Sequence, residues 1–547
     1  MTTNAPSAAD PASDALQAQV GRPYRDAVRS LWPDVGIWDY LRYDDAGDLW
    51  LGPLRLIDAV RAYGTPLEVV DTVVLERRAR EWSALAERTA AAAGYPGRLG
   101  FLYAAKANMA SEITHAAYRA GWHAETSSQQ DLAHLMWLAE RQLLPAGLRV
   151  VCNGFKLPPE AFGRDALGAC DPAGLPPAHP RSLLLPPAPP EHLDPAVRDR
   201  PYAETIVHLA RAGWAITPIL DEGEVAWFAA RGQPPMAVGL RMKHGQVATD
   251  HEHAALVSRF GFDREGLFAA AEAVAAAPHL ALTTLHAMVG AAETIPVERM
   301  VASLRYAGAV WADLRTRHPE LRELNMGGGV PPLGEPYDHA GFLRGLYAAL
   351  AEEAAARAVP PPDLTFEFGS LVAAESAMHV FRVVQRKVNH IAAAGEPGGA
   401  LPWAILDGGL MAAIPDMLLI DRAFRFLALT GANRPALAVR FGDLTCDSDG
   451  RYPPASFGPG AAVLLPDAAP LHVAVMGVGA YQEILAGVRG AHHCGLLEAV
   501  ELILEPGPDG PLARVIARQT KAEAMAVLGY TDDAAAALAR AALARST

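Results

Sequence analysis

Cysteine is scarce in this chain: there are four in 547 residues, at Cys152, Cys170, Cys446 and Cys494. They are widely spaced and form no CxxC pair, so the sequence suggests neither a disulfide framework nor a zinc site, and the usage fits a reducing compartment. Positive charge is also short. Lys and Arg number 47 against 61 Asp and Glu, a net charge of -14, which argues against a nucleic-acid-binding surface. Long apolar runs are missing. The best candidate, 401–420, is broken by Asp407, Pro415 and Asp416, so no membrane span is expected. The N-terminus, MTTNAPSAADPASDALQAQ, has neither a basic n-region nor an apolar h-region, so no secretory signal is expected and the chain reads as cytoplasmic. What is present is a composition 51% hydrophobic and 20% charged, over a length that implies two or three folded units.

Residues 1–35 read as a disordered or extended tail, rich at its start in Ala, Ser and Pro. From residue 64, short apolar runs alternate with stretches of helical spacing. The runs are PLEVVD (66–71), LGFLYAAK (99–106), RVVCN (149–153), AITPILD (215–221), MAVGLRM (236–242), LTTLHAMV (282–289), ELNMGG (323–328) and LTFEFG (364–369). Eight strands alternating with helices predict a (β/α)8 barrel over 64–375, with the chemistry at the strand C-terminal ends. A Pro-rich, non-periodic stretch, 157–200, reads as an insertion. Residues 376–547 are short β-like runs between Gly/Pro turns, ending in an Ala-rich helix. They predict a C-terminal β-sandwich or β-barrel domain, with 36–63 pairing with it. The fold class is α/β plus β.

Several segments carry chemistry. Lys106 ends a strand backed by aliphatic residues, a place where poor solvation favours the neutral amine that Schiff-base chemistry needs, although most such lysines reach water. Gly327-Gly328-Gly329 follow a strand and could turn their N–H groups onto an anion, or be a flexible turn. Glu367 is a carboxylate in an apolar strand end, so a cation should pair with it, either a structural partner or a protonated pyridine nitrogen. His286, on an apolar run, is a ring-stacking candidate or a core histidine. Cys446 and Asp447, in LTCDSDG, set a thiol beside carboxylates in what could equally be a polar turn. Tyr481, in GVGAYQ, offers a hydroxyl after a Gly-rich turn.

In this order, AAKAN, the LRM arginine, His286, GGG, EFG, CDSDG and GAYQE resemble the alanine-racemase-fold (fold type III) decarboxylases that use pyridoxal 5'-phosphate (PLP). That group includes ornithine, diaminopimelate and biosynthetic arginine decarboxylases. The resemblance spans roughly 36–510, and CDSDG, GAYQEILAG and PDMLLIDRAF look most like the arginine branch. It implies that Lys106 holds PLP covalently, His286 stacks on the ring and Glu367 pairs with the pyridinium nitrogen. Gly327, Gly328, Gly329 and the Tyr481 hydroxyl would hold the phosphate. Arg241 would be a supporting cation that meets Glu125. In a homodimer with shared active sites, Cys446 would return a proton to the substrate carbon, and Asp447, or alternatively Asp416, would bind the substrate's distal cation. The implied activity is decarboxylation of a basic or diamino amino acid such as arginine, ornithine or lysine. The alternatives are a diaminopimelate-type enzyme or a non-catalytic homologue that binds partners. Three departures stand out: Phe368 and Ser370 in EFGS where the family has an arginine, Met288-Val289 in place of glycine-serine, and Asn325-Met326 where an aspartate precedes GGG.

Overall fold

The computed structural model describes residues 11–157, 200–231, 234–243, 259–290, 296–388, 401–458, 460–508 and 510–532. The proposed insertion, but for its ends, and the terminal Ala-rich helix lie outside the described residues. Two compact units emerge: residues 80–330 with 338–368, and residues 1–79, 331–337 and 369–547.

The first unit is a closed barrel of eight parallel strands. In chain order they are Leu99–Ala104, His123–Thr126, Arg149–Cys152, Ala215–Leu220, Met236–Met242, Leu280–Ala287, Glu323–Asn325 and Asp363–Phe368. The eighth closes on the first, with Phe366 beside Phe101 and Glu367 beside Leu102. Parallel barrel strands are covered on both faces, which is why Phe101 to Ala104 are buried without alternation. Leu102, Val151 and Ile219 meet in one buried cluster. Outside the strands, Phe366 and Phe368 meet Trp82, with ring centroids 6.0 and 5.1 Å apart. The phenylalanine of EFGS is therefore a packing residue.

The second unit contains a 10-stranded sheet and a separate three-stranded one. Ala377–Lys387 pairs antiparallel with His472–Met476 and with Leu67–Asp71, and Leu67–Asp71 runs parallel to Val500–Glu505. This corrects two expectations. The run at 66–71 is not a barrel strand, and the barrel unit starts at residue 80 rather than 64. An apolar LEVVD suits either environment, and its neighbours in space decide. The barrel strand it displaced is His123–Thr126, whose polar sequence HAET conceals a buried strand. Residues 36–63 fall in this second unit, where strands Leu41–Tyr43, Leu49–Leu51 and Leu54–Arg55 pair with one another. The 1–35 segment is not wholly an extended tail. Tyr24–Leu31 is a helix that buries Tyr24, Ala27 and Val28, the i, i+3, i+4 spacing of an apolar helix face.

Candidate active site

The barrel strands deliver their polar residues at their C-terminal ends. After the first strand the chain turns through Ala105–Ala107, and the turn is fixed by the Tyr103 hydroxyl donating to Asn108 O (2.9 Å) and by Asn108 Oδ1 accepting from Ala110 N (3.0 Å). Lys106 projects from it with a side chain 46% exposed. The poorly solvated lysine expected from the sequence is therefore half in solvent. Its Nζ stands 3.7 Å from Glu125 Oε2, on the second strand.

Glu125 and Glu367 are both buried, as are Asn153, His286 and Asn325. Asn153 Nδ2 bridges the two carboxylates, 2.9 Å from Glu125 Oε1 and 2.9 Å from Glu367 Oε2. Asn325 Nδ2 donates to Glu367 Oε1 at 2.6 Å. His286 Nε2 lies 3.1 Å from Glu367 Oε2, and because an ionised carboxylate only accepts, Nε2 carries the proton. Burial opposes ionisation of Glu367, but His286, Lys106 and the Asn325 amide outweigh it and hold its carboxyl below the usual range. Burial also pushes His286 down despite Glu367, so the ring is neutral near pH 7. Glu125 goes the other way: burial raises it against the pull of Lys106, and Glu367 adds to the rise.

Arg241 does not form the expected direct pair with Glu125. Its guanidinium lies over the Phe260 ring at 4.3 Å, and burial lowers its pKa while Glu367, Asp221 and Glu125 act on it as neighbouring charges. Direct ionic contact with Glu125 comes from Lys106.

The triple glycine is built as a cradle. Gly327 and Gly329 have φ of +66° and +96°, a region that disfavours side chains. A Cβ on Gly328 would stand 2.5 Å from Glu367 O. Asn325 Oδ1 accepts from Gly327 N (2.9 Å), and the Met288 thioether sulfur accepts from Gly328 N at 3.2 Å. Sulfur is a weak acceptor, so an anion's oxygen could take its place.

These features fit PLP. A reachable lysine amine, a glycine cradle and a charged buried carboxylate share one end of one barrel. Among the described residues, His286 Nδ1, Asn153 Oδ1 and Glu125 Oε2 are buried without a hydrogen-bond partner, polar atoms left for a further group.

No protein-family model matches the sequence. A diaminopimelate decarboxylase of Actinosynnema pretiosum subsp. auranticum is 26% identical over 378 residues, covering 67% of this chain and 72% of its own length. The biosynthetic arginine decarboxylase of Campylobacter jejuni superposes with a TM-score of 0.70 at 15% identity, over 95% of this chain and 94% of that one. A diaminopimelate decarboxylase of M. jannaschii in co-complex with L-lysine gives 0.64 at 16% identity, over 89% and 97%. The chain has the alanine racemase-like fold of the fold type III PLP decarboxylases.

The remaining candidates of this decarboxylase-like chain lie in the second unit. Cys446 and Asp447 sit on an exposed turn. Cys446 Sγ is 3.5 Å from Cys494 Sγ, a neighbour that raises its pKa. Asp447 Oδ2 is 3.5 Å from His493 Nε2. Asp416 is buried, and its Oδ2 is already taken by Gln482 Nε2 at 2.7 Å and Arg422 Nη1 at 3.7 Å, which leaves it poorly suited to hold a substrate cation. Tyr481 has a left-handed φ of 68° and caps the helix Gln482–Ala486. Asn153, Asn325 and Cys494 were not site candidates by sequence. The first two resemble ordinary turn residues, and the third lies 48 positions from Cys446.

Proposed function

We propose that this chain is a PLP-dependent decarboxylase of a basic or diamino L-amino acid. The observation that carries the reading is the set of groups on one barrel end: Lys106 beside Glu125, and Glu367 ionised and held by His286, Asn153 and Asn325. Lys106 Nζ is the atom that would hold the cofactor. Glu367 would face its ring nitrogen, His286 its ring, and the cradle of Gly327 to Gly329, with Tyr481, its phosphate. When bound, PLP supplies the electron sink that lets a carboxylate leave as CO2. The protein's own part is protons and position. Glu125 stands where it can exchange a proton with Lys106 Nζ, and Cys446 Sγ, from the second subunit of a homodimer, returns one to the substrate carbon. Asp447 selects a distal cation.

Arginine, ornithine and lysine fit this reading. Diaminopimelate is the second reading, and the name of the 26% identical relative supports it. The aspartate after Cys446 favours a simple cationic end, because the diaminopimelate branch typically carries glutamate there. The test is borohydride reduction of PLP-saturated protein followed by peptide mapping, with CO2 release measured on the four amino acids. A pyridoxyl mass on the Lys106 peptide is expected. A label elsewhere, or none, would overturn the assignment.

A further inference from the structure

We infer that Cys446, Cys494 and His493 form a binding site for a soft divalent metal ion of the zinc class. One donor atom from each lies within 4.8 Å of the others. The two sulfurs are 3.5 Å apart. Thiolates about 2.3 Å from one tetrahedral zinc stand about 3.8 Å apart, so the pair needs almost no movement to share an ion. A disulfide would need the sulfurs to close to about 2.05 Å.

Two further contacts belong to such a site. The Cys446 backbone N–H points at Cys494 Sγ, 3.5 Å away, where it would stabilise a thiolate. Asp447 Oδ2 faces His493 Nε2 at 3.5 Å, and a carboxylate behind a ligating imidazole fixes its tautomer and orientation. Two sulfurs and an imidazole are the donor set that zinc prefers, with water left for the fourth position. Binding releases the protons of both thiols and forms two metal–sulfur bonds; no electron is transferred. Cys494 is what the scattered cysteines concealed: it reaches Cys446 only through the fold.

Metal binding at these residues does not depend on the decarboxylase reading, but its consequence does. An ion on Cys446 Sγ removes the proton that this thiol would deliver, so zinc should inhibit turnover reversibly. The two claims separate in one experiment. The full-length, PLP-saturated protein, kept reduced with a phosphine, is titrated with Co2+ and then with Zn2+. One equivalent per chain should give a thiolate-to-cobalt charge-transfer band that zinc displaces. Cys494→Ser and Cys446→Ser should each weaken binding about a hundredfold, His493→Ala should weaken it less, and Cys152→Ala should leave it intact. No band in protein whose thiols titrate as free, or a band indifferent to Cys494→Ser, would overturn the site. Decarboxylation by Cys494→Ser that resists zinc, beside a sensitive parent, supports both claims. A band with zinc-indifferent turnover would uphold the metal site and remove Cys446 from proton delivery.

Discussion

Replacing Glu367 with glutamine tests whether the barrel site is organised around an ionised carboxylate. All three groups on Glu367 donate: Asn153 Nδ2 and His286 Nε2 to Oε2, and Asn325 Nδ2 to Oε1. A glutamine has one oxygen and one NH2. With the oxygen toward Asn153 and His286, its NH2 meets the Asn325 NH2. Asn325 cannot flip to relieve this, because its Oδ1 accepts from Gly327 N at 2.9 Å. One buried donor is left unpaired, at about 1–3 kcal/mol, and the remaining bonds lose their charge assistance. Relief of the buried charge returns part of this, for a net loss of about 2–3 kcal/mol. In the PLP-free protein, for a barrel unit of this size, that is a fall in Tm of roughly 3–5 °C.

The double variant decides the cause. Asn325→Asp alone sets a second carboxylate against Glu367 and should be worse than Glu367→Gln. In Glu367→Gln/Asn325→Asp one aspartate oxygen still accepts from Gly327 and the other accepts from the glutamine NH2, so stability should recover above both single variants. The pH dependence has a definite sign. A carboxyl held below its usual range contributes stability that is complete above about pH 4.3, its unfolded value, and is lost as pH falls through the folded value. The contribution of Glu367 itself to the gap between parent and Glu367→Gln should be fully present above that pH and shrink below it. A Glu367→Gln protein within about 1 °C of the parent, or a double variant no better than the worse single, would refute this donor accounting.

The Met288 thioether occupies Gly328 N–H, so Met288→Ala should tighten PLP about tenfold in a spectroscopic titration, one charge-assisted bond to phosphate being regained; weaker binding would mean that Met288 helps to hold the cofactor. Glu125→Gln should slow formation of the borohydride-trappable adduct at Lys106 about a hundredfold, the usual worth of a placed proton acceptor, with little change in the amount finally formed. Lys106→Ala and Cys446→Ala should each be nearly inactive alone, and after subunit exchange should regain up to about a quarter of parental activity, since half the dimers are mixed and one of two sites in each is whole.

The parts of the site legible in the sequence were those with unusual chemistry at a strand end. Lys106, His286, Glu367 and the triple glycine all end apolar runs, and a parallel barrel must gather such ends on one face. What the sequence concealed follows the same physics in reverse. The second barrel strand, HAET, has Glu125 and Thr126 buried, so burial and hydrophobicity part company where the site needs a carboxylate. LEVVD is apolar enough for a barrel, but its partners are strands more than 300 and 400 residues away in the chain, and a local pattern carries no information about which sheet receives it. Asn153 and Asn325 look like turn residues until their amides are seen to satisfy the two buried glutamates. The phenylalanine of EFGS reads as a departure at a phosphate site, whereas its ring packs on Trp82.

The two glutamates show how one polar cluster can push two carboxyls in opposite directions. Both are buried, so both are pushed toward the neutral acid. The difference lies in what else reaches them. Glu367 receives His286, two amides and the field of Lys106, enough to keep it charged. Glu125 shares the Asn153 amide, accepts from the Ser127 hydroxyl at 2.7 Å and feels the negative charge of Glu367. Each therefore sharpens the other: the more firmly Glu367 is ionised, the higher Glu125 is held. Pairs of groups whose environments separate their pKa values mark where acid–base roles divide. Here the division leaves a fixed charge at the barrel end and a group able to gain or lose a proton 3.7 Å from Lys106 Nζ, which is where the amine proposed to hold the cofactor would need one.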